Sequence, residues 1–134
     1  MSNIRMLLFI AVVFLLSACA GINKAKDKVS GLIQPSSAEQ KLSVGVKSYE
    51  DGDYKSSLEA LRDAEKMGLS RKADKITVHK YKAFIYCITD RNNMCRHEFE
   101  DILEEDPNFD LQPAEAGHPA WGPVFRSVKA GFDK

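Results

Sequence analysis

Three histidines, three cysteines and a run of carboxylates are the residues of this 134-residue chain that could do chemistry. A zinc-type site needs imidazoles, thiolates or carboxylates that converge, which in sequence shows as short motifs such as H-x-x-E-H or C-x-x-C. His79, His97 and His118 stand in no such motif. His97 lies two residues from Cys95, and a two-residue step on a helix points side chains to different faces. The expectation is a surface histidine, with no metal and no cofactor. Glu98, Glu100, Asp101, Glu104, Glu105 and Asp106 form the acidic run. Without a paired base, a glycine-rich loop or a nucleophile motif it reads as a solvated helix face, and the chain as a non-enzyme with no small-molecule substrate. Nineteen Lys and Arg residues are interleaved with nineteen Asp and Glu, so no basic surface for nucleic acid is expected.

Cys19 stands apart from the other thiols. It follows a cationic start at Arg5, an apolar run from Met6 to Leu16 and the small residues Ser17 and Ala18. Charge, apolar length and small-residue site together read as a secretory signal peptide over residues 1–18. The run is short against the roughly 20 residues that a spanning helix needs. Leu16-Ser17-Ala18-Cys19 resembles the bacterial lipobox, which implies cleavage before Cys19, diacylation of its thiol and acylation of the new amino terminus. Several acyl chains, at roughly 0.8 kcal/mol per buried methylene, make a stable anchor. Loss of Arg5 leaves the mature chain at a formal charge of −1. Ala20 and Gly21 follow Cys19 where inner-membrane retention uses an acid, so the resemblance implies an outer-membrane lipoprotein facing the periplasm.

Residues 19–35 mix small, charged and isolated apolar residues and read as the lipidated tether; the folded domain spans 36–134. Ser36-Ser37-Ala38-Glu39 is an S-x-x-E capping box after a proline, opening a first helix that runs to about Asp51. Gly52-Asp53 breaks it. A second helix, from about Tyr54 to Met67, places Leu58, Leu61 and Ala64 on one face and ends at Gly68, a residue suited to a positive φ. A third runs from about Arg71 to Thr89. The fourth, Met94 to Glu105, turns Phe99, Ile102 and Leu103 inward and stops before Pro107. No alternating strand pattern competes, so the fold class is all-α.

Gly45, Gly52-Asp53-Tyr54, Ser57, Leu61 and Ala64 fall at the spacings of the tetratricopeptide repeat (TPR). In the same frame 38 residues later stand Ala83, Tyr86, Cys95, Phe99, Ile102 and Pro107. The region 38–107 therefore resembles two TPR-like hairpins, with Lys41, Val44, Ser57 and Cys95 departing from the family's preferred types. Small residues at Gly45 with Ser57, and at Ala83 with Cys95, let antiparallel helices approach closely. The frame also sets Cys87 and Cys95 about equally far from the turn near Arg91, on facing helices. In the oxidising periplasm that implies a disulfide, the alternative being two buried free thiols. Tyr49 and Tyr54 fall near the inner side of the repeat, as partner contacts or as hairpin contacts.

After Pro107 the chain changes character. Four of the five prolines, Pro107, Pro113, Pro119 and Pro123, fall here, and the segment 108–134 is expected to cap the last hairpin with a short helix, Val124 to Ala130, docked through Phe125 and Val128. Trp121, in a Gly/Pro frame, is either a plug of this cap or a partner contact. The D-P-x-F-x-L-x-P-x-E ending and the G-H-P-x-W-G-P string resemble small lipoproteins of bacterial envelope and secretion systems, including type VI-like ones. The resemblance implies a membrane-anchored adaptor or assembly factor with protein partners in the envelope; the alternative is a pilotin-type lipoprotein that stacks on another chain and has no peptide-binding groove.

Overall fold

The computed structural model describes residues 35–132. The signal segment 1–18, the lipidation residue Cys19 and the tether up to residue 34 lie outside the described residues. Residues 35–132 belong to one compact unit and hold six helices and no strand: α1 Ser37–Glu50, α2 Tyr54–Met67, α3 Lys72–Ile88, α4 Asn92–Glu105, α5 Pro113–Ala116 and α6 Gly122–Phe132.

Local chemistry sets these boundaries. Ser36 caps α1 in a reciprocal capping box, its hydroxyl accepting from the Glu39 amide while the Glu39 carboxylate accepts from the Ser36 amide. Asp53 caps α2 by accepting from the Ser56 amide, and the Ser56 side chain, then that amide, holds its carboxyl below the usual range. Gly68 ends α2 at φ 84°, where a side chain would be strained, and Leu69 turns back into the core.

Helix α1 packs along α2 and α3 along α4; α2 and α3 join the two pairs, and α6 lies against α4. The α1–α2 approach is close because residue 45 has no side chain. A Cβ there would sit 2.7 Å from Leu61 Cγ and Cδ2 and 3.2 Å from the Leu61 amide nitrogen. The core runs through both pairs, from Leu42, Leu58 and Leu61 to Val78, Ile85, Phe99 and Ile102, and ends on Leu111, Trp121, Phe125 and Val128. Burial at that end keeps the flank of the last pair out of water.

Three elements differ from the sequence reading. Helix α4 starts at Asn92, two residues early, on an Arg91 whose side chain makes no capping bond. Helix α6 is longer at both ends than Val124 to Ala130. Helix α5 is an unanticipated turn; its signal is Pro113 at the first position, with the Glu115 carboxylate accepting from the Gln112 amide.

Candidate functional site

A continuous row of rings crosses from the first helix pair to the C-terminal segment. Tyr49, near the end of α1, lies 5.7 Å from Tyr54 at the start of α2 and 4.9 Å, edge-on, from Tyr81 on α3 (centroid distances). Tyr81 leads to Phe84, Phe84 stacks on Trp121 at 4.1 Å, and His118 stacks on the other side of Trp121. Tyr54 is 37% exposed and Tyr49 half-buried. Burial, then the neighbouring Tyr54, Tyr81 and Glu115, push the Tyr49 phenol up to about 12.

The structure thus brings Tyr49 and Tyr54 together and joins Trp121 to them through Phe84. Trp121 itself is only 7% exposed. Its Nε1 donates to the Glu115 carbonyl at 2.8 Å, and the Glu115 carboxylate pairs with Lys80 of α3 at 2.6 Å. Of the two roles open to Trp121 in the sequence, this burial supports the plug. Lys129 of α6 closes the cap from the far side, donating to the Phe109 carbonyl and to Asp110.

Cys87 and Cys95 sit at disulfide distance, with Cα atoms 5.2 Å apart and both side chains in the core. They tie the end of α3 to the start of α4 beside the Asp90–Arg91 turn.

The acidic run is not uniformly solvated. Glu98 and Lys82 are both buried and paired at 3.0 Å, and Lys82 also donates to Glu65 of α2 at 2.9 Å. Burial would lower the Lys82 pKa; its bonds to Glu65 and its pairing with Glu98 outweigh that and hold it above the ordinary lysine value. His79 joins the group: Nδ1 lies 2.7 Å from Glu98 and 3.5 Å from Asp101, and Nε2 lies 3.7 Å from Glu65. The reading of Glu98 as a surface carboxylate is corrected here. The charge is tolerated because an ammonium and an imidazole satisfy it, a pairing of α3 with α4 that no short motif displays. Its trace in the sequence is register, since Glu98 falls on the inward stripe of Cys95, Phe99 and Ile102. His97, by contrast, lies on the surface.

Compared with protein families, with characterised proteins and with solved structures, the chain finds no match in any of the three.

Proposed function

We propose that this chain is a lipid-anchored, periplasm-facing adaptor or assembly factor of the outer membrane, built on a TPR-like double hairpin and serving an envelope machine of the type VI-like secretion class. It acts by binding and carries out no reaction of its own. Two helix pairs of repeat-like length, with the close approach at Gly45 where the repeat has its small residue, support the hairpin reading. The export signal and the lipobox-like site at Cys19 support the anchor.

The observation that carries the binding reading is the exposed edge of the aromatic row. Tyr54 reaches solvent while its neighbour Tyr49 is held by Tyr81 and Phe84, themselves braced by the cap. Tyrosines held in this way offer amphipathic contact area at a low cost in side-chain entropy. A photo-crosslinker in place of Tyr54, in otherwise intact protein in the cell, tests the reading. A discrete envelope protein should be captured, and capture should fall when Cys19→Ser releases the anchor. A well-folded, membrane-bound protein that captures no partner from this position would refute it.

A further inference from the structure

We propose that His79, Glu98 and Asp101 form a binding site for a divalent cation of the zinc class, a function separate from the adaptor reading. One donor atom from each of the three lies within 4.8 Å of the others. The donors come from two helices, the imidazole from α3 and both carboxylates from α4, so the site depends on the packed hairpin.

The spacing is close to what a metal requires. Two ligands of a tetrahedral zinc, each bonded at about 2.0–2.1 Å, stand about 3.4 Å apart. His79 Nδ1 and Asp101 Oδ2 are 3.5 Å apart. His79 Nδ1 and Glu98 Oε2, at 2.7 Å, now share a hydrogen bond, and a metal that replaces that proton needs them to part by about 0.7 Å.

The surroundings orient these ligands as metal-site partners do. The other ring nitrogen of His79 faces Glu65 at 3.7 Å, and the other oxygen of Glu98 is held by Lys82 at 3.0 Å, leaving Nδ1 and Oε2 turned toward each other. Charge points the same way. Lys82 pairs with Glu65 and Glu98 while Asp101 faces His79, so three carboxylates meet one ammonium, and two negative charges are left for one dication to balance. An open cleft of about 460 Å³, lined by Glu65, His79, Asp101, Glu104 and Glu105, leads to the site and supplies an acidic approach. An imidazole with two carboxylates suits zinc, nickel or cobalt better than the all-oxygen chemistry of calcium or magnesium, and three protein ligands leave a coordination position for water. The rival state is a metal-free network held by the His79–Glu98 hydrogen bond and the pairing of Lys82 with both glutamates.

Calorimetric titration of the full chain with Zn²⁺, with Mg²⁺ as the control, separates the two. Zinc should bind at one ion per chain and raise the melting temperature, while magnesium at the same concentration does neither. His79→Gln and Asp101→Asn should each weaken zinc binding about tenfold or more. Asp63→Asn, at an exposed α2 carboxylate paired with Lys41 of α1 and not with the three ligands, should leave it unchanged. Co²⁺ in place of zinc should give the visible absorbance of a low-symmetry site, lost in Asp101→Asn. No saturable zinc uptake at about 1 mM, equal binding of magnesium, or loss of binding in Asp63→Asn would each overturn the proposal. Should His79→Gln fail to fold, Asp101→Asn decides alone, and undiminished zinc affinity in that variant overturns it.

Discussion

The Ser57 hydroxyl donates a 2.7 Å hydrogen bond to the main-chain carbonyl of Gly45, across the crossing of the first two helices and fully out of water. It joins the two small residues that let α1 and α2 approach. Gly45 makes room for Leu61, which is completely buried.

Gly45→Ala should therefore be the more damaging of two conservative changes. Its methyl would meet Leu61 at 2.7 Å and, at 3.2 Å, the α2 backbone. The side chain could turn away, but the backbone gives only if the helices separate, and overpacking of this kind costs about 1–3 kcal/mol. Ser57→Ala removes one neutral hydrogen bond and keeps the volume small, for about 1 kcal/mol. Urea denaturation of both variants checks the order; equal stability for Gly45→Ala and the parent chain would show that the crossing is looser than described.

Cys87 and Cys95 should be bonded in protein recovered from an oxidising compartment. A bridge across eight residues of sequence closes a small loop, and removing that much chain entropy from the unfolded state adds about 2.5 kcal/mol. Mass spectrometry after alkylation without reductant checks it. Two alkylated thiols would mean free core cysteines, and Cys87→Ser with Cys95→Ser would then cost little.

The helix pairs were legible because their determinants are local. Asp53 to Gly68 spans α2 from cap to stop, and Gly45, Ser57 and Leu61 sit at a spacing that demands close packing. The buried ion network was not legible, because Lys82 and Glu98 lie on different helices and each resembles a surface residue until its partner is known. Trp121 was legible as a residue with a role, but a Gly/Pro frame says nothing of the ring it meets. Only the fold of residues 108–121 across α3 brings it onto Phe84.

Alkaline pH should unfold the protein through two groups. Lys82 and Tyr49 both have pKa values raised by the fold, Tyr49 to about 12 from a model-compound value of 10.0. Each binds its proton more tightly folded than unfolded, so their contribution is complete below the unfolded pKa near 10 and is lost as pH rises toward the folded values. Stability should fall from about pH 10 upward. Tyr49→Phe, which has no proton to lose, should flatten the slope between pH 10 and 12. Denaturation midpoints across that range check it, and an unchanged slope would mean that Tyr49 is as solvated folded as unfolded.

Trp121→Ala tests whether the C-terminal segment is part of the fold or an appendage to it. The ring is stacked between Phe84 and His118, and its Nε1 donates to the Glu115 carbonyl. Truncation opens a cavity over α3 and removes that donor, so the loss should reach about 3–5 kcal/mol, the range for large aromatic side chains in cores. Trp121→Phe should recover most of the packing and lack only the hydrogen bond. Combining Trp121→Ala with Phe84→Ala measures the stacking itself, and a coupling of about 0.5–1.5 kcal/mol is expected for a pair in this geometry. If Trp121→Ala melts like the parent chain while partner capture through Tyr54 is lost, the ring serves the partner and the cap holds without it.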